Sequence, residues 1–201
     1  MKVTPLSIQA ADWSTYRGDN HRSAGSPAKV PQNLGPRWSF APPRANVPVA
    51  PTTAGGLVFL AGEDGKVRAI KSGSGELHWE FSTSAPIKNP PSIWEGRAYV
   101  GSGDGYVYCL EAATGKLLWR FRAAPVERQI MVYGRLSSTW PVNTGVMVHE
   151  GVAYFAAGII DHDGTYVYAL DAKTGKIKWQ NNSSGHLSGE LRKGISAQGN
   201  L

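Results

Sequence analysis

The eleven residues Ala169-Leu170-Asp171-Ala172-Lys173-Thr174-Gly175-Lys176-Ile177-Lys178-Trp179 decide how the rest of the chain is read. A short apolar run leads into a Thr-Gly turn, and the run that follows ends in tryptophan. The same plan occurs twice upstream, from Cys109 to Trp119 and from Ala69 to Trp79. The middle copy departs at Cys109 and Glu111. The first copy keeps Ala69, Gly75 and Trp79 but carries Lys71, Ser74 and Glu76. Trp79 and Trp119 stand 40 residues apart, as do Gly56 and Gly96, whereas Trp119 and Trp179 stand 60 apart. Aligning the glycines with the pairs Asp64-Gly65, Asp104-Gly105 and Asp163-Gly164 places 15 of the 20 extra residues before Gly151 and 5 within 158–165. A period near 40 is common to propeller blades and some helical arrays, so the local pattern must choose.

It chooses strands. Val67, Ala69, Tyr106-Val107-Tyr108 and Tyr166-Val167-Tyr168 lie in alternating or β-rich segments bounded by glycine. The Asp-Gly pairs read as hairpin turns with both residues at positive φ. Each unit is therefore strand, Asp-Gly hairpin, strand, Thr/Ser-Gly turn, and a strand ending in tryptophan. A lead-in containing Pro51, Pro91 or Pro141 predicts the innermost strand, where proline is tolerated at the first residue or the edge. No segment keeps a 3.6-residue period, which argues against helical repeats. The fold class is thus all-β: a partial β-propeller of about three four-stranded antiparallel blades, at residues 48–83, 88–123 and 137–184.

The fixed positions of Ala169 to Trp179 resemble the tryptophan-docking motif of quinoprotein-type (PQQ-like) β-propellers, AxDxxTGKxxW. The resemblance covers about residues 37–184. It implies that Trp79, Trp119 and Trp179 pack on glycine turns such as Gly75, Gly115 and Gly175 of neighbouring blades, with Asp171 and Thr174 shaping the turn. The motif is then a structural fastener. The resemblance is also to propellers of bacterial extracytoplasmic proteins, including outer-membrane assembly lipoproteins, which implies a periplasmic home.

Seven or eight blades are usual in that family, so three blades imply a piece of a ring whose partners are the remaining blades or another protein chain. Trp38-Ser39-Phe40 echoes Trp79-Glu80-Phe81 and Trp119-Arg120-Phe121. Residues 37–40 are expected as an outer, ring-closing strand after an irregular lead-in, 1–36, and residues 194–201 as the stub of a further blade.

The expectation is a non-catalytic propeller module acting as a binding or protein-interaction scaffold. The alternative the resemblance implies is part of a PQQ-dependent alcohol or sugar dehydrogenase, which would hold the quinone and Ca2+ on the propeller axis with an Asp base, an Arg and, in many members, a vicinal Cys-Cys pair. Cys109 is the lone cysteine, so no such pair and no CxxC motif exist. Asp161-His162-Asp163-Gly164 lacks the spaced acidic ligands of a calcium loop and reads as a solvated turn. No catalytic residue and no metal site are assigned.

The segment from Ala124 to Glu150 interrupts the period. In it Arg128, Arg135 and Trp140, with Tyr133, could bind an anionic or carbohydrate-like ligand; alternatively the arginines are solvated and Trp140 caps an inner strand. Lys116 and Lys176 follow Thr-Gly, but Leu117 and Ile177 stand where a phosphate-binding loop needs Ser or Thr. The chain carries 21 Lys+Arg against 15 Asp+Glu, net +6. No basic block or nucleic-acid module is legible, so no nucleic-acid partner is expected. No run of about 18 apolar residues exists, and none of a transmembrane helix is expected.

Overall fold

A computed structural model describes residues 2–43, 46–159 and 163–182. The first four strands, β1 (Thr52–Ala54), β2 (Leu57–Ala61), β3 (Lys66–Lys71) and β4 (Leu77–Ser82), form one antiparallel sheet in sequence order. The second blade repeats it with β5 (Ser92–Trp94), β6 (Arg97–Gly101), β7 (Tyr106–Glu111) and β8 (Leu117–Arg122). A two-stranded hairpin follows, β9 (Gln129–Val132) and β10 (Arg135–Ser138). The third blade is β11 (Met147–His149), β12 (Val152–Ala157), β13 (Tyr166–Asp171) and β14 (Ile177–Asn181). Among the described residues there is no α-helix. The described residues form an all-β partial propeller of three four-stranded antiparallel blades.

The three registers superimpose. Phe59, Ala69 and Trp79 face one another across the first blade, Tyr99, Cys109 and Trp119 across the second, and Tyr154, Ala169 and Trp179 across the third. A bulge recurs at one place in each outer ladder, after Ala69, Cys109 and Ala169. Such bulges bend and twist the outer strand. Side chains alternate in period two, so one face of each blade meets the next. Phe59, Val67 and Trp79 of the first blade pack on Val100, Tyr108 and Leu110 of the second. Tyr99, Val107 and Cys109 pack on Phe155, Tyr168 and Leu170 of the third. The middle blade is covered on both faces, and all five residues of β6 are buried.

Cys109 lies inside the second of these clusters with no exposure. Burial pushes its thiol up to about 12. Since the thiolate is the reactive form, Cys109 is expected to resist alkylation at pH 8 in the native protein and to react at the rate of unfolding. Time-resolved mass spectrometry with iodoacetamide checks this; fast labelling without loss of circular dichroism would contradict it.

Three expectations are corrected. The Asp-Gly pairs are not two-residue turns, because only the glycine has positive φ (Gly65 71°, Gly105 85°, Gly164 80°). Gly65 N–H donates to Gly62 O at 3.1 Å and Gly105 N–H to Ser102 O at 3.1 Å. Asp64 and Asp104 instead accept from the amide two residues on, Lys66 at 3.2 Å and Tyr106 at 3.0 Å. The tight turns with both residues at positive φ are Gly55-Gly56, Glu95-Gly96, Glu150-Gly151 and Tyr133-Gly134. Secondly, residues 37–40 carry no ladder with any described strand. Thirdly, Pro141 does not abut an inner strand as Pro51 and Pro91 do, since the third sheet begins at Met147 and residues 139–146 cross from the hairpin. The stub expected at 194–201 lies outside the described residues, as do Asp161 and His162.

The lead-in ties the blades together along their inner strands. Thr53 N–H donates to Trp13 O at 2.8 Å, and Ile93 N–H to Ser14 O at 2.7 Å. Trp13 N–H returns to Thr53 Oγ1, Thr15 and Ser92 share a buried hydroxyl pair at 3.0 Å, and Asn20 Nδ2 reaches Val148 O. One segment therefore serves edge groups of β1 and β5 and reaches β11. Unpaired edges are otherwise templates for association.

Candidate functional site

Two features carry the chemistry of this molecule: a repeated joint between blades and a cleft at one end of them. In the joint, a Cβ placed on Gly75, Gly115 or Gly175 would lie 2.8, 2.7 or 2.8 Å from the indole of Trp38, Trp79 or Trp119. Their φ values are 77°, 75° and 71°. Glycine is thus required twice, for the conformation and for the space. Each indole N–H donates to a carbonyl three residues before its glycine: Trp38 to Ser72 O at 2.8 Å, Trp79 to Ala112 O at 3.0 Å, Trp119 to Ala172 O at 3.1 Å. Phe59 and Tyr99 meet Trp79 and Trp119 in one geometry, 6.0 Å between centroids and 56° between planes.

The acceptor turns are held by carboxylates. Asp171 Oδ1 accepts from Thr174 N at 2.9 Å and Thr174 Oγ1 at 2.8 Å, which holds its carboxyl below the usual aspartate range. Glu111 takes the Thr114 hydroxyl and also Thr4 N–H at 2.7 Å, and is lowered likewise. In the first blade the carboxylate has moved to Glu76, which binds Lys71 Nζ at 3.0 Å and Ser74 Oγ at 3.2 Å. The departures at Lys71, Ser74 and Glu76 thus rebuild the same turn from different residues.

The series ends unevenly. Trp79 is 9% exposed, whereas Trp179 is 53% exposed beside Ile177 at 50%. Tyr154 and Val167 are half-buried where Phe59, Tyr99, Val67 and Val107 are fully buried. Among the described residues three acceptor turns are filled, and Trp179 rests on none of them.

The cleft, about 950 Å³, lies at the end of the sheets where the β2–β3 and β6–β7 turns meet the crossings between blades, under the hairpin β9–β10. Alternation directs Ile130, Val132, Arg135 and Ser137 into it. Met131 (67% exposed) and Leu136 point away, and Tyr133 stands wholly exposed at the tip. The hairpin is rooted by Ser138 N–H to Gly103 O at 2.7 Å and Ser137 Oγ to Gly103 O at 3.0 Å. Its far end is held by Arg135 donating to Glu63 O. Lys88 pairs with Glu63 at 2.9 Å and, as the main cause, lowers its carboxyl pKa. Asn89 donates to Asn143 O across the floor.

The three residues expected to share a ligand are divided. Arg135 lines the cleft. Trp140 is 5% exposed and its indole N–H donates to Asp163 O at 2.6 Å. Arg128 lies over the Trp140 ring at 4.7 Å, donates to Thr139 Oγ1 at 3.0 Å and pairs with Asp163. Arg128 and Trp140 therefore pin the hairpin root to the third blade. The hairpin itself went unread, although Ile130 and Val132 alternate before Tyr133-Gly134, a two-residue turn signal.

Among the described residues, no group of three or more His, Cys, Asp or Glu is placed to hold a metal ion. Glu63 is the one carboxylate lining the cleft, and two cations attend it. Calcium takes six to eight oxygen ligands, so this donor set does not fit a calcium-held quinone. No helix among these residues is long and apolar enough to cross a membrane.

The PQQ-like family described as outer membrane protein assembly factor BamB matches residues 31–185. The chain belongs to this family. Its fold is shared with the quinohemoprotein alcohol dehydrogenase of Comamonas testosteroni, at TM-score 0.69 and 24% identity over 86% of this chain and 27% of that one. Alcohol dehydrogenase ADHIIG of Pseudomonas putida HK5 gives 0.73 and 22% over 87% and 27%. A europium-containing methanol dehydrogenase gives 0.67 and 16% over 88% and 33%. The chain thus spans about a quarter to a third of these enzymes, and the likeness is one of fold. Among curated proteins none matches the chain in sequence.

Proposed function

We propose that this chain is a non-catalytic propeller module of a larger assembly, which binds by docking its open blade face onto a further blade of the same repeat. The observation that supports this is Trp179. Its three counterparts, Trp38, Trp79 and Trp119, each rest on a glycine and donate to a carbonyl, while Trp179 is 53% exposed. Desolvated aromatic anchors of this kind dominate interface energies. The partner face must offer a glycine at positive φ with a carbonyl three residues before it. That blade comes from the rest of the propeller or from another chain.

The test is to append a further copy of residues 85–124 after residue 182. Trp179 fluorescence is expected to shift to the blue and its quenching by acrylamide to fall several-fold, and Trp179→Ala in the extended chain should remove the effect on stability. An unchanged Trp179 would defeat the docking reading. Dye-linked oxidation of an alcohol after incubation with PQQ and Ca2+ would favour the dehydrogenase alternative; none is expected.

A further inference from the structure

The cleft under β9–β10 measures about 950 Å³, at the upper end of the range for small-ligand sites, about 300–1,000 Å³. Its walls are drawn from between residues 63 and 159, so none comes from either end of the chain. Its roof, the β9–β10 hairpin, is a sheet of its own and belongs to no blade. Its floor is built by main-chain bonds that tie crossings to turns. Ile87 N–H donates to Gly62 O at 3.0 Å, Gly103 N–H to Pro86 O at 2.9 Å, and Val142 N–H to Ser102 O at 3.0 Å. A ligand entering here meets a preformed shape and is spared the cost of ordering backbone.

The lining is divided by chemistry. Ile130 and Val132 of the roof, with Pro86 and Ile159, line the cleft half-buried. Among the described lining residues Tyr133 alone is aromatic, and it stands exposed at the tip. The apolar wall is therefore aliphatic and not a stacking platform. The cations gather at Glu63: Lys88 Nζ lies 2.9 Å from its carboxylate, and Arg135 donates to its main-chain oxygen. Two cations against one carboxylate leave positive charge in excess. The Lys88–Glu63 pair is also open to solvent, with side chains 49% and 36% exposed, and such pairs contribute little to stability. Arg135 spends one N–H on the Glu63 carbonyl, so its fork can still take a carboxylate. An incoming carboxylate can thus replace the Glu63 side chain at Lys88 and reach Arg135 as well.

We propose that this cleft binds a small amphipathic carboxylate, with its head at Lys88 and Arg135 and its aliphatic chain along Ile130 and Val132. Exchanging one exposed ion pair for another is nearly neutral. The chain therefore supplies the affinity, and the cations fix which way the ligand lies. The reading is independent of how Trp179 docks, which the appended blade tests separately.

The test is isothermal titration calorimetry of the full chain with hexanoate, octanoate and decanoate, located by 13C-methyl spectra of Ile130, Val132 and Ile159. Affinity is expected to rise about twofold per methylene, less than the roughly fourfold of complete burial. Octyltrimethylammonium, with the same chain as octanoate's analogue but the opposite charge, should bind at least about tenfold more weakly. Lys88→Met, on a crossing outside the hairpin, should weaken octanoate about tenfold, as should Arg135→Met. Glu63→Gln removes the competing carboxylate and should strengthen octanoate by up to about fivefold. Should Arg135→Met loosen the hairpin, seen as collapsed dispersion of the Ile130 and Val132 methyls, Arg135→Lys keeps the charge and should retain binding. Absence of saturable heat with decanoate, affinity indifferent to chain length, or unchanged affinity in the Lys88→Met, Arg135→Met double variant overturns the proposal. So do methyl shifts confined to residues outside the cleft, or weaker binding in Glu63→Gln.

Discussion

Replacing Trp79 by alanine is expected to cost about 3–5 kcal/mol, the range for truncating a buried large aromatic. In a chain of this size that lowers Tm by roughly 10 °C. Trp79 touches Phe59 at 6.0 Å, covers Gly115 and donates to Ala112 O. Truncation therefore opens a cavity at the joint and frees a carbonyl as well. Trp179→Ala provides the internal comparison. It has the same sequence motif and the same register on its sheet, but its ring is 53% exposed, so its cost should stay near 1 kcal/mol, within reach of ordinary surface substitutions. Differential scanning calorimetry of the two variants decides the point. Equal losses would mean that the motif stabilises its own blade and not the joint between blades.

Removing residues 1–20 is expected to abolish the cooperative fold, or most of it. Seven hydrogen bonds join that segment to the blades: at Thr53 N, Ile93 N, Trp13 N, Ser92, Val148 O, Glu111 and Gly55 N. At about 0.5–1.5 kcal/mol net apiece, their sum rivals the 5–15 kcal/mol that typically separates folded from unfolded domains. The truncation also bares inner edges of the blades, which favours association. Thermal unfolding checks the size of the effect, and native-state hydrogen exchange checks its place. The amides of Thr53 and Ile93 should lose protection before those of β6 and β7, which stay paired inside the middle blade. A truncated chain melting within about 2 °C of the whole chain would contradict this.

Much of the architecture was legible because the period is carried by residues with no local alternative. Gly75, Gly115 and Gly175 must hold positive φ, and Trp79, Trp119 and Trp179 recur at the same distance from them. Turn geometry was less legible. Asp-Gly suits a two-residue turn, but here Asp64 and Asp104 are engaged by the amides of Lys66 and Tyr106, so only the glycines turn left-handed. The arrangement of the candidate ligand residues was no more legible. Arg128, Arg135 and Trp140 are close in sequence, yet the hairpin carries Arg135 to Glu63 while Trp140 sinks towards Asp163. Only the fold of β9–β10 separates them.

The tryptophans mark the division between what the chain's letters determine and what its packing decides. Trp38, Trp79, Trp119 and Trp179 are set by the period, and with it the all-β blades and their order follow from sequence, because hydrophobic alternation and glycine turns act locally. Trp13, Trp94 and Trp140 follow from no repeat. Trp13 links its backbone to Thr53, Trp94 stacks under Lys173 at 5.5 Å, and Trp140 anchors the hairpin root. Their partners lie 40, 79 and 23 residues away in the chain. Contacts over such distances depend on how blades stack around the inner strands, which only the tertiary structure specifies. The same stacking seats Trp79 and Trp119 on the glycine turns of the blades that follow them.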